Sequence, residues 1–215
     1  MVKDLALSND FRYFVTLTLD KQYVDRYDVG SVVKRLSTWC DNRVRRQGLK
    51  YVLVPELHKD GALHFHGLIN DVLPVSDSGT LDRGSGKPVR PRSSRQRELW
   101  LAEGAHIVYN LPSWSLGFST AIELYGDRTA AVGYVCKYIG KGLSAGEGKP
   151  QRIGHRWYFS GGQLDRPFVE CYDVDIDALR ALPDAHTFVS DSLGCELVAV
   201  TLERGEVEKI VRQEL

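Results

Sequence analysis

The chain is predicted to be an α+β protein, because strand-type and helix-type patterns alternate along it and a hairpin signal joins two of the strands. Residues 11–19 (FRYFVTLTL) are rich in β-branched and aromatic side chains and end at Asp20, the composition of a strand. Residues 31–46 (SVVKRLSTWCDNRVRR) set Val32, Leu36, Trp39, Cys40 and Val44 near one stripe, as an amphipathic helix with a basic outer face would. Residues 50–58 and 62–70 flank Lys59-Asp60-Gly61, a turn sequence suited to a hairpin.

Local chemistry sets the expected boundaries. The helix should begin at Ser31 as its cap and stop before Gln47-Gly48. Residues 71–98 are rich in Gly, Pro and Ser and read as a long loop. Residues 100–110 and 114–124 read as further β structure, with a short helix around 96–103. Asp127 suits a helix cap, so residues 129–141 read as a helix ended by Gly142. Beyond it, 156–159 read as a strand, 176–182 as a short helix and 187–202 as a terminal hairpin. No internal repeat is visible.

A chain of 215 residues, 43% of them hydrophobic, can build a sizeable core in one domain, with or without a small appendage. No stretch approaches the roughly 20 apolar residues that cross a bilayer, and the N-terminal residues lack a secretory apolar region. A soluble, cytoplasmic protein with no membrane partner is expected. Cys40, Cys136, Cys171 and Cys195 show no Cys-x-x-Cys spacing, so four reduced thiols, mostly buried, are expected rather than a zinc finger or disulfide framework.

Net charge is zero, but it is unevenly placed. Residues 1–164 hold 23 Lys+Arg against 16 Asp+Glu (+7), and residues 165–215 hold 5 against 12 (−7). The densest basic stretch, Arg83, Lys87, Arg90, Arg92, Arg95 and Arg97, could grip a nucleic-acid backbone or be a solvated loop.

The most informative motif is His64-Phe65-His66. Residues two apart on a strand share a face, so both imidazoles can hold one metal ion. Chemistry on phosphate needs a metal left open to substrate, so a third ligand should be compact and anionic; Glu56 is the candidate. Hairpin register decides whether it reaches. A three-residue loop with Gly61 left-handed pairs His58 with Ala62, Leu57 with Leu63 and Glu56 with His64, placing the three ligands on one face. A two-residue Asp60-Gly61 turn shifts the register by one and turns Glu56 away. The three-residue loop is predicted, with His58 as the reserve ligand on that face. Leu63, Phe65 and Ile69 should point into the core while the histidines avoid it. Two imidazoles and a carboxylate handling phosphate suit Mn²⁺ or Mg²⁺, although they also bind Zn²⁺ or Ni²⁺. The bland alternative is an exposed polar strand face.

The second motif is Tyr134-Val-Cys-Lys137-Tyr138-Ile-Gly-Lys141. On a helix, residues four apart differ by about 40° and about 6 Å, so both hydroxyls could approach one phosphate. Lys137 and Lys141 each follow a tyrosine by three residues, placed to orient phosphate or lower a phenol's pKa, ordinarily near 10. An amphipathic helix with snorkelling lysines has the same pattern. A metal site and a paired-tyrosine helix together point to cutting and rejoining DNA.

With these motifs in order, the chain resembles the HUH endonuclease superfamily, and within it the two-tyrosine rolling-circle replication initiators of bacteriophages and related replicons. Phe14-Val-Thr-Leu-Thr18 resembles the first-strand motif, Leu63-His-Phe-His-Gly-Leu-Ile69 the metal motif and residues 134–141 the paired-tyrosine motif, with Glu56 in the place of the acidic ligand. Trp114-x-x-Gly117 and residues 156–161 resemble further segments of phage initiators. The resemblance covers roughly residues 11–162. It implies a central antiparallel sheet with flanking helices, similar to an RNA-recognition fold, with the metal on its face. It also implies nicking of single-stranded origin DNA, with a hairpin among the candidate substrates, through a covalent 5′-phosphotyrosine.

On this reading residues 1–164 are the nicking core, and the acidic segment 165–215 packs on the same domain. No Gly-x-x-x-x-Gly-Lys-Ser/Thr sequence occurs, and Gly84-Ser-Gly-Lys-Pro lacks that spacing, so a host helicase is expected to act beside the host polymerase. The competing readings are a conjugative relaxase or transposase with the same chemistry, and a non-cleaving DNA-binding replication regulator.

Overall fold

The computed structural model describes residues 2–58, 60–84, 87–124, 152–166, 174–190, 194–200, 202 and 204–211. They fall in two compact units, Met1–Pro167 and Phe168–Leu215. The first contains α1 (Val2–Ser8), β1 (Tyr13–Thr18), α2 (Val29–Gln47), β2 (Tyr51–Leu57) and β3 (Leu63–Ile69). It continues with β4 (Ser76–Asp82), α3 (Ser94–Ala102), β5 (His106–Asn110), β6 (Ser119–Glu123) and β7 (Phe159–Gly161). The second contains α4 (Ile176–Arg180), the hairpin of β8 (His186–Ser190) and β9 (Cys195–Ala199), and α5 (Arg204–Val211). The expected tyrosine helix, with Tyr134, Lys137, Tyr138 and Lys141, lies outside the described residues.

Seven strands form one sheet in the order β4-β5-β6-β1-β3-β2-β7, every neighbouring pair antiparallel. The antiparallel sheet with flanking helices that the resemblance implies is therefore present. Alternation divides the side chains between two faces. On one, Val15, Leu17, Leu53, Phe65 and Ile69 pack with Val32, Leu36, Trp39 and Cys40 of α2 as the main core. On the other, Val52, Val54, Leu68 and the half-buried Phe14 gather with Val2 and Ala6 of α1 in a smaller cluster. Among the described residues, the second cluster occupies one end of its face.

The hairpin register agrees with the predicted three-residue loop. Leu57 pairs with Leu63 and Glu56 with His64. The His58 amide donates to the Ala62 carbonyl (2.9 Å), the Gly61 amide donates back to His58 (2.8 Å), and Gly61 is left-handed at φ +83°. A further bond, from the Ala62 amide to the Asp60 carboxylate at 3.0 Å, closes the turn.

Some boundaries differ from expectation, each for a local reason. Helix α2 starts at Val29, and its cap is Asp28, whose carboxylate accepts the Ser31 amide at 3.2 Å. Ser31 thus lies inside the first turn. Residues 71–98 are not a plain loop. They contain β4, an edge strand whose polar composition and bulge between Asp77 and Thr80 disguise it, and the start of α3. Residues 100–110 divide between α3 and β5, and the strand expected over 114–124 begins only at Ser119. No local pattern announces helices α1 and α5. Cys40 is buried and Cys195 exposed, both free. Among the described residues, no helix is long and apolar enough to cross a membrane.

Candidate metal centre

The candidate ligands sit at the polar end of the smaller-cluster face. Strand pairing arranges that face in rows. Phe14 pairs with Leu68 and Leu68 with Val52, giving the apolar row against α1. Thr16 pairs with His66, and His66 with Val54, in the next. Thr18 pairs with His64, and His64 with Glu56, in the last. One step along the strands changes the face from hydrocarbon to metal-ligand chemistry.

Glu56, His64 and His66 each offer a ligand atom, all within 4.8 Å of one another. Glu56 Oε2 is 2.8 Å from His66 Nε2 and 3.3 Å from His64 Nε2. Neighbouring ligands at about 2.1 Å from an ion are about 3.0–3.4 Å apart, so the two carboxylate–imidazole separations are close to what a divalent cation needs, and the donor set suits one. The cluster can bind such an ion with one carboxylate and two imidazoles. His64 and His66 stand on the face opposite Leu63, Phe65 and Ile69, as the strand pattern suggested, yet they are buried there too, at 8% and 7% exposed. Leu68, Val54 and Phe14 extend apolar packing up to them. Burial, reinforced by neighbouring His58, pushes the His64 imidazole down to about 4, which keeps it neutral and able to ligate near pH 7.

Support comes from β1. The Thr16 hydroxyl pairs with His66 Nδ1 at 3.0 Å, and the Phe14 ring stacks beside the imidazole at 6.1 Å and 15°. A partner on the second ring nitrogen fixes orientation and tautomer of a metal-ligating histidine. No local signal singles out Thr16 for this role, because only long-range pairing brings β1 beside β3. His58, the reserve ligand, stacks its ring 4.0 Å from that of His64 but stays outside the three-residue cluster.

The basic stretch is not brought to this centre. Arg83, Lys87, Arg90, Arg92, Arg95 and Arg97 lie at the β4 end of the sheet, in α3 or the segment before it, and β4 is four strands, about 19 Å, from β3. Arg83 pairs with Glu103 (3.4 Å) and lies over the Trp100 ring (4.8 Å). Arg97 pairs with Asp77, and Arg90 donates to the Ser78 carbonyl at 3.3 Å. These contacts order the segment while leaving Arg92 and Arg95 exposed.

Comparison with known proteins adds one finding. The family model of the replication-associated protein ORF2 matches residues 12–143, from the strand that carries Thr16 through the metal-face strands to the paired tyrosines. No curated protein and no solved structure matches. With more than half of its length matched and a buried Glu/His/His cluster on an antiparallel sheet, the chain belongs to the family of the replication-associated protein ORF2.

Proposed function

We propose that the chain is a metal-dependent endonuclease and strand transferase, of the two-tyrosine HUH type, that nicks single-stranded DNA at a replication origin and so starts and ends rolling-circle replication. The observation that carries this reading is the Glu56–His64–His66 cluster, gathered on one sheet face and held from β1 by Thr16. The family match supports the replicative context, and its span includes Tyr134 and Tyr138.

The three ligands would hold Mn²⁺ or Mg²⁺, which when bound supplies positive charge against the non-bridging oxygens of a phosphodiester. The remaining chemistry is assigned to the chain's own groups. The Oη of Tyr134 or Tyr138 forms a bond to phosphorus while the bond to the 3′-oxygen breaks. The phenolic proton is given up and the departing 3′-oxygen takes one, leaving a 5′-phosphotyrosine and a free 3′-OH. Lys137 and Lys141 favour the phenolate and counter phosphate charge. The second tyrosine repeats the attack on the regenerated origin and releases the displaced strand. Residues 1–164 are assigned to this nicking core, and the basic residues from Arg83 to Arg97 to the backbone of flanking DNA. A host helicase and polymerase would supply unwinding and extension.

A denaturing gel tests this. Incubation with single-stranded origin DNA and Mn²⁺ should give a covalent adduct that EDTA prevents and that the Tyr134→Phe/Tyr138→Phe double variant abolishes. An adduct that survives the double change refutes the assignment of the tyrosines. No adduct on any candidate origin favours the non-cleaving regulator.

A further inference from the structure

Phe118 immediately precedes β6 with its side chain largely in solvent, 70% exposed. Register places it on the metal face. Leu17 pairs with Ser119, and the Thr18 amide donates to the Phe118 carbonyl at 2.8 Å, so Phe118 lies across from Thr18. Thr18 lies across from His64, and His64 from Glu56. Phe118, Thr18, His64 and Glu56 therefore form one row, with Phe118 two strand spacings, about 10 Å, from His64. The adjacent row offers Thr120 and Thr16, so among the described residues of these two rows no carboxylate stands between the ring and the ligands.

The ring is exposed on a stiff support. Trp114 is buried and donates its indole N–H to the Thr18 carbonyl at 3.1 Å. It packs edge-on against Trp39 at 5.2 Å, whose own N–H donates to the Ser113 carbonyl at 2.7 Å. The Asp20 amide donates to the Leu116 carbonyl at 2.9 Å. Gly117 has φ +154°, and a Cβ there would meet the Thr18 carbonyl oxygen at 2.3 Å, so only glycine lets the chain run this close to β1. The Trp114-x-x-Gly117 motif thus clamps the start of β6 to the end of β1 and fixes the backbone that presents Phe118.

We propose that Phe118 is a stacking platform for a nucleobase of the single-stranded DNA beside the scissile phosphate. This rests on the reading of the Glu56–His64–His66 centre as a DNA-nicking site. A flat ring with two side-chain torsions on a fixed backbone loses little freedom when a base stacks on it, and stacking accepts any base because every base has a π face. The surplus of positive charge in residues 1–164, 23 Lys+Arg against 16 Asp+Glu, suits an anionic strand.

The test is fluorescence polarisation with a labelled oligo(dT), run in the Tyr134→Phe/Tyr138→Phe background so that no cleavage occurs. Phe118→Ala should bind about tenfold more weakly, whereas Phe118→Trp should bind as the parent does or better. Mn²⁺ affinity by calorimetry should be the same in all three, which separates stacking from damage to the metal site. Binding of Phe118→Ala within twofold of the parent overturns the proposal, whether or not the wild-type chain nicks DNA. A changed sedimentation of Phe118→Ala with oligonucleotide binding intact also overturns it, by assigning the ring to a protein contact. If the wild-type chain forms no adduct but the Phe118 dependence of binding holds, the nicking reading fails and the stacking platform stands.

Discussion

Thr16→Val removes one oxygen from the centre of β1 and keeps the shape and strand preference of the side chain. Where the ring proton lies on Nε2, Nδ1 of His66 accepts from the Thr16 hydroxyl 3.0 Å away. With Nε2 committed to a metal, the proton moves to Nδ1, which donates to the same hydroxyl. Threonine serves both tautomers because a hydroxyl donates and accepts; valine serves neither. The folded protein should lose about 1 kcal/mol for one half-buried hydrogen bond. Metal affinity should fall further, by about 10- to 100-fold, or about 1.4–2.7 kcal/mol, the usual cost of losing a support behind a metal-ligating histidine. Calorimetric titration of Mn²⁺ into wild type, Thr16→Val and Thr16→Ser measures this. Thr16→Ser should lie close to wild type. If Thr16→Val binds within twofold of wild type while His66→Ala binds nothing, the hydroxyl does not set the tautomer and the reasoning is wrong.

Other consequences can be checked in the same preparations. Phe65 is fully buried in β3, edge-on to Phe159 at 5.9 Å, so Phe65→Ala should cost about 3–5 kcal/mol in urea denaturation; less than about 1 kcal/mol would mean β3 is not central to the core. At Gly67 a Cβ would meet the Val52 carbonyl oxygen at 2.0 Å, so Gly67→Ala must push β2 from β3. It should destabilise by about 3 kcal/mol and weaken Mn²⁺ binding, since Glu56 and His66 lie on those strands. His64 is held near 4, below its ordinary 6.5, by burial first and His58 second. The unfolded chain therefore takes up that proton first as pH falls, and metal-free stability should be full above about 6.5 and decline toward pH 4. A His64→Asn variant should show a flatter profile of melting temperature against pH, and an identical slope would count against burial of that imidazole. Mn²⁺ at about 100 times its dissociation constant should raise wild-type stability by about 2.7 kcal/mol, seen in thermal melts, and Glu56→Gln should reduce the shift.

Much of the fold is legible in the chain because its signals are local. The apolar stripe from Val32 to Cys40 forms the buried side of α2, and the turn with left-handed Gly61 sets the hairpin register. The elements that differ from expectation have weak or competing local signals. β4 (Ser76–Asp82) is an edge strand of polar residues around a bulge, with the composition of a loop. Asp28 and Ser31 are both able caps, and only the chain's path into the helix chooses between them.

That His64 and His66 share a face, and that Glu56 joins them through the length of one turn, follows from the amino-acid sequence alone, because strand alternation and hairpin pairing act over a few residues. The strand order is encoded by no short stretch and emerges only when the whole sheet assembles. Placing β1 between β6 and β3 puts Thr16 behind His66, Phe14 beside it and Phe118 in line with His64. It also buries both imidazoles at the edge of a second apolar cluster. These contacts join residues far apart in the chain, Thr16 and His66 among them. Their cause is the burial of β1 and β3 at the centre of the sheet, where each strand must find a partner on both sides for its backbone N–H and C=O groups.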